Sequence, residues 1–139
     1  KIDKKIEILL SSDTPVGISK SMGLAQISFA EAFSELTPDI ILLLGDRFEI
    51  FSAAVSARIL NIPIIHFSGG DVTEGALDNE FRNSISLMSH VHFVKLEDHK
   101  ETLINFGIKA QDIIKIGSLS IENFHNFQKL ERYLHYKWL

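Results

Sequence analysis

Three short stretches concentrate residue types that move protons and hold anions. Gly45-Asp46-Arg47-Phe48-Glu49 puts two carboxylates and a guanidinium side by side. His66-Phe67-Ser68-Gly69-Gly70-Asp71 adds an imidazole, a hydroxyl, paired glycines and a third carboxylate. The segment from Asp71 to Arg82 then carries four acids and one base. Several carboxylates with a histidine suit removal and return of a proton at carbon, which needs more than one acid or base. Asp78 and Arg82 are four apart and share a helix face, so Arg82 would keep Asp78 ionised where a helix N-terminus also favours anions. Each feature has a plainer reading. Asp46 would cap the following helix, His66 would be a hydrogen-bonded structural residue, and Gly69-Gly70 would be a turn. Asp78 with Arg82 would be a surface ion pair worth under about 1 kcal/mol. His90 and His92, two apart on a strand, would share a side, but no third ligand can be named, so no metal site is expected.

These stretches meet only if the elements around them bring them together. Apolar runs at 6–10, 40–44, 62–67, 91–94 and 113–116 lack polar alternation, as in parallel strands covered on both faces. Stretches of helical length lie between them. In 19–36, Leu24, Ile27, Phe29, Phe33 and Leu36 mark a buried stripe that Thr37-Pro38 ends. The stretch 47–60 is apolar almost all round, and 76–89 and 97–106 follow, the last closed by Gly107. From Ser120 on a fifth helix is predicted, with Tyr133, Tyr136 and Trp138 leaving apolar surface near its end. The alternation predicts an α/β fold with a parallel, right-handed, doubly wound Rossmann-like sheet. Ligands bind outside the carboxyl ends of such strands. Asp46, His66, Gly69, Gly70 and Gly117 should therefore line one rim, with glycines admitting a ligand close to the backbone.

Composition narrows the chemistry further. A chain of 139 residues favours one domain, and 45% hydrophobic residues support a real core. A net charge of −4 gives no reason to expect a nucleic-acid or anionic-membrane partner. The absence of cysteine excludes disulfides, thiolate nucleophiles and Cys-based zinc sites. No G-x-G-x-x-G or G-K-[ST] motif occurs, and no apolar run approaches the roughly 20 residues of a membrane span. A cytoplasmic protein without a cofactor is expected.

Taken together, Gly45-Asp46-Arg47-Phe48-Glu49, His66-x-x-Gly69-Gly70-Asp71-Val72-Thr73-Glu74-Gly75-Ala76-Leu77-Asp78 and Arg82 resemble the hydrolysing UDP-N-acetylglucosamine 2-epimerases, including those of the sialic- and legionaminic-acid pathways. Ser11-Ser12-Asp13-Thr14-Pro15, Ser89-His90-x-His92-Phe93 and Gly117-Ser118 share the likeness, which runs from about residue 6 to 123. The resemblance implies two Rossmann-like domains in a GT-B-type arrangement, with the site in the cleft between them. It implies conversion of a UDP-2-acetamido sugar to UDP and the 2-epimer, by elimination to a glycal and hydration. Asp46 and Asp78 then fall at catalytic acid positions. The third such position is Ser68, which cannot act as acid or base at pH 7, so Asp71, three residues on, is the candidate substitute and His66 a further catalytic candidate. Arg47, Glu49, Ser68, Gly69, Gly70, Arg82, Gly117 and Ser118 are the substrate-binding candidates. Residues 1–124 read as a truncated N-terminal epimerase domain and 125–139 as a divergent tail, with the second domain absent. The expected partners are a UDP-sugar and either a second copy or a separate chain supplying that domain. Inactivity of the chain alone is expected; the alternative is a non-catalytic sugar- or partner-binding remnant.

Overall fold

The computed structural model describes residues 2–8, 10, 12–73, 77–118 and 121. Helix α1 spans Pro15–Leu36. It starts ahead of its apolar stripe because Thr14 caps it, its hydroxyl accepting the Gly17 N–H at 3.1 Å, and Pro15 suits the first helical position. It ends where Thr37 turns left-handed (φ 42°) and its N–H returns to the Phe33 carbonyl. Strand β1 (Ile41–Leu44), helix α2 (Phe48–Ile59), strand β2 (Ile64–Phe67), helix α3 (Asp78–Met88), strand β3 (Val91–Val94) and helix α4 (Glu97–Asn105) follow. Gly107 closes α4 at φ 90°, and a 3-10 turn at Ala110–Asp112 leads into β4 (Ile113–Lys115).

The four strands form a parallel sheet in the order β1-β2-β3-β4. The register sets Leu43 beside His66, His66 beside His92, and His92 beside Ile113, so these side chains share one face. Each crossover steps to the next strand in the same direction. Right-handed connections of that kind put α2, α3 and α4 on a single face. That face holds the core. Leu43 and Ile64 pack with Ala53, Ala54 and Ala57 of α2 and Ile85 of α3, joined by Phe29 and Phe33 of α1. Val94, Leu103 and Ile113 form a second cluster under α4. Ile64 and Ile85 are fully buried, worth about 1.5–3 kcal/mol each. The small residues of α2 let it approach both the sheet and α1, where the Gln26 side chain bonds the Ser56 hydroxyl at 2.8 Å.

The described residues thus display one half of a double winding. On the other face Leu42 and Leu44 are 60% and 61% exposed, Ile114 and Ile116 are exposed, and the Phe67 and Phe93 rings lie 4.8 Å apart.

The run at 6–10 departs from expectation. Its described residues do not enter the sheet. The Leu10 N–H instead donates to Ser21 Oγ of α1 at 3.3 Å, and Lys4, just ahead of the run, pairs with Glu35 of the same helix. An apolar run becomes a strand only where a sheet edge meets its backbone. Among its described residues Ile8 is nearly buried, whereas Leu10 is exposed.

Candidate active site

Parallel strands open on one edge. β1 leads through Gly45 (φ 103°) into Asp46 and Arg47, and β2 through Ser68, Gly69 and Gly70 into Asp71. β3 leads into Lys95, and β4 into Gly117 (φ 81°) and Ser118.

Arg82 organises this edge. It is buried, and its guanidinium reaches three segments. Nη2 donates to the Asp46 carboxylate and to Thr73 Oγ1 (3.2 Å). Nη1 donates to the Asp71 carbonyl (2.7 Å) and Asn79 Oδ1 (2.9 Å). Asn79 in turn accepts the Thr73 N–H and donates to the Thr73 carbonyl, closing the loop after β2 onto α3. Burial lowers the Arg82 pKa, an unfavourable effect that the charge-assisted bonds offset. The sequence pairing of Arg82 with Asp78 is therefore replaced by a long-range pair with Asp46. Asp46 is also not a cap: Arg47 occupies that position of α2 and makes no side-chain capping bond.

Asp78, in the first turn of α3, instead lines a cavity of about 500 Å³ with Arg47. Ser12, Asp13 and Ser21 supply its other polar wall, and Phe48 and Phe81 are among its apolar residues. The Arg47 guanidinium is largely exposed, 5.8 Å from the Phe48 ring centroid and 3.6 Å from Glu49. Glu49 itself faces a separate cavity of about 380 Å³ beside Ile6 and Ile8.

His66 sits behind the rim. It is fully buried, with Nε2 3.0 Å from the Gly45 carbonyl and Nδ1 3.1 Å from Ser86 Oγ. A carbonyl only accepts, so Nε2 carries the proton and Ser86 donates to Nδ1. Burial pushes the His66 pKa down, against the opposing bond to Gly45, so the ring is neutral. With both nitrogens engaged, the ring has none free for a substrate. Beside it, burial and then His66 push His92 down to about 4.

The paired glycines admit the chain's own helices. A Cβ on Gly69 would stand 2.8 Å from Ser86 Oγ, and one on Gly70 (φ 76°) 2.2 Å from the His99 carbonyl. The expectation that they open the backbone to a ligand gives way to this packing role. Ser68 is left-handed at φ 69°, a strained state for a non-glycine residue of the kind found at functional sites. Asp71 is anchored by Lys95 (3.1 Å) and faces His99 Nε2 (3.7 Å). Gly117 and Ser118 stand at the β4 exit, outside the main cavity lining.

Sequence reasoning missed Lys95, His99, Asn79 and Thr73 as partners of this edge. A lysine directly after a parallel strand was the one available signal; the others depend on contacts between elements. Among the described residues no three His, Asp or Glu side chains converge as a metal site. No helix there is long and apolar enough to cross a membrane.

The family profile described as UDP-N-acetylglucosamine 2-epimerase matches residues 1–137. The chain belongs to this family. It is 43% identical, over 99% of its length, to a Campylobacter jejuni GDP/UDP-N,N'-diacetylbacillosamine 2-epimerase (hydrolyzing), and covers 37% of that protein. It is 36% identical, over 91% of its length, to a Legionella pneumophila UDP-N,N'-diacetylbacillosamine 2-epimerase (hydrolyzing), covering 33% of it. The chain thus spans about a third of the length of these curated relatives. The fold agrees: a UDP-GlcNAc 2-epimerase from Neisseria meningitidis, solved bound to UDP-GlcNAc, superposes with a TM-score of 0.77 at 24% identity, over 86% of this chain and 34% of that one. A Rickettsia bellii epimerase structure gives 0.76 at 26% identity over 87% of this chain and 32% of that one. In this chain the Asp46–Arg82 pair and the Asp78 cavity lie at the sheet edge where α/β proteins bind ligands.

Proposed function

We propose that this chain carries the N-terminal part of the active site of a hydrolysing UDP-sugar 2-epimerase acting on a UDP-2-acetamido sugar. The observation that carries the reading is one edge holding Asp46, oriented by buried Arg82, beside a cavity that presents Asp78 and Arg47. In the reaction a base takes the C2 proton and the C1–O bond breaks with its electron pair going to the diphosphate, leaving a glycal. Water then adds its hydroxyl at C1, and a proton returns to C2 from the opposite face. Two carboxylates on one rim suit the two proton transfers. Asp46 and Asp78 take these roles, and Asp71, held by Lys95, stands in for the acid missing at Ser68. Arg47 is the cavity's cation for the diphosphate. Arg82 and His66 position Asp46 and its turn, since their polar atoms are committed internally. The reading makes the protein cytoplasmic, without a cofactor, with a UDP-sugar as its ligand.

The chain alone is expected to give no steady UDP release. Gripping the diphosphate and closing the cleft can supply roughly 7–11 kcal/mol of such a barrier. Among the described residues, this edge offers the diphosphate the largely exposed Arg47 guanidinium, which stands beside Glu49 among further carboxylates. A chimera with residues 1–137 in place of the aligned third of the Campylobacter jejuni relative tests the assignment. It should release UDP, and Asp46→Asn and Asp78→Asn should each cost at least about 100-fold, the usual lower range for acid–base groups. A folded chimera that releases no UDP overturns the reading.

A further inference from the structure

The three rim acids are fixed from different elements. Asp46 is bonded by Arg82 of α3, and Asp78 stands in the first turn of that helix. Asp71 is instead held from the segment where β3 passes into α4, which supplies none of the candidate site residues. The topology brings these together. β2 and β3 are neighbours with Phe67 beside Phe93, and the Ser68 N–H extends the pairing to the Phe93 carbonyl at 3.0 Å. The two chains therefore leave the sheet side by side, on the edge where parallel strands open. Gly70 lets the first close on the first turn of α4, since a Cβ there would stand 2.2 Å from the His99 carbonyl.

We infer that Lys95 and His99 are positioning residues that set the direction of the Asp71 carboxylate toward the sugar. The inference rests on the epimerase reading, with Asp71 in place of the acid missing at Ser68. The Asp71 carbonyl accepts Arg82 at 2.7 Å, its Oδ1 accepts the Val72 N–H at 2.9 Å, and its Oδ2 accepts Lys95 Nζ at 3.1 Å. His99 Nε2 stands 3.7 Å from Oδ1, and His99 Nδ1 is buried with no hydrogen-bond partner among the described residues. The His99 side chain is only 12% exposed, so its ring is fixed by packing and walls one side of the carboxylate. The carboxylate itself is 32% exposed and stays open to a ligand. An aspartate has few rotamers, and these contacts select one of them. One guanidinium, Arg82, bonds both the Asp71 carbonyl and the Asp46 carboxylate, so fixing Asp71 also fixes it relative to Asp46. Misplacing a reacting group by about 1 Å can cost about 100-fold in rate.

The chimera carrying residues 1–137 tests this, with kcat and KM read separately. Lys95→Met and His99→Leu should each lower kcat about 10- to 100-fold and leave KM within about twofold, since they act on orientation rather than on binding. Lys95→Arg and His99→Gln return an N–H near the lost one and should restore kcat to within about threefold. In an Asp71→Asn background neither loss should appear, because both residues act through that carboxylate. Lys95 is 40% exposed, so Lys95→Met keeps the fold and decides the matter if His99→Leu does not fold. An unchanged kcat in Lys95→Met overturns the inference. So does an equal loss in Lys95→Arg, or a loss that persists beside Asp71→Asn. In each of these cases the epimerase reading stands, because the parent chimera releases UDP; a folded parent chimera that releases none overturns both.

Discussion

The two faces of the sheet invert the usual association of residue type with burial. The helix-covered face holds His66 and His92, both nearly inaccessible, among Leu43, Ile64, Val94 and Ile113. The opposite face is purely aliphatic and aromatic, yet Leu42, Leu44, Ile114 and Ile116 are exposed. Burial here follows where the crossovers deliver helices, not how apolar a side chain is. The covered face tolerates its histidines because they stay neutral and His66 is fully hydrogen-bonded. That arrangement also couples the core to the candidate site: His66 joins β2 and α3 to the Gly45 carbonyl, one residue before Asp46.

The contrast between faces can be broken by mutation. Ile64→Ala on the covered face should cost about 2–5 kcal/mol, read from urea unfolding, because it removes a fully buried side chain and leaves a cavity. A cost below about 0.5 kcal/mol, the range of surface substitutions, would mean that this face is not the core.

Acidification tests the neutral histidines. His92 is pushed down to about 4 in the fold, and His66 is shifted the same way. Below the ordinary imidazole value of about 6.5 the unfolded chain binds protons that the folded chain resists. The contribution of these residues is therefore complete above about pH 6.5 and lost as pH falls towards 4, by about 1–3 kcal/mol for His92. His92→Gln should flatten that part of the profile. An unfolding midpoint equal at pH 7 and pH 5 would contradict a neutral, buried His92.

The smallest effect should be at Leu44. It is 61% exposed on the edge strand, so Leu44→Ala should cost below about 1 kcal/mol. A cost matching that of Ile64→Ala would show that the second face is covered out to β1.

The alternation of short apolar runs with helical periods was legible along the chain because local pattern controls it. Val91–Val94 shows this, as does the stop of α1 before Pro38. The glycine-marked strand exits were legible for the same reason, since parallel strands must all open on one side. By itself, then, the sequence determined a parallel α/β domain with acids and an arginine on that edge. It left other matters open. The run at 6–10 reads as a strand as readily as β1 does, yet its described residues take no place in the sheet, and the Leu10 N–H bonds Ser21 of α1 instead. Spacing favoured Arg82 with Asp78, one helical turn apart. Tertiary structure chose Asp46, 36 residues away, because burial of a guanidinium demands acceptors from every segment around it. It likewise drew His66 into the interior and spent Gly69 and Gly70 on helix approach. Periodicity is a property of neighbours in sequence, whereas satisfying a buried polar group depends on neighbours in space, and only the fold supplies those.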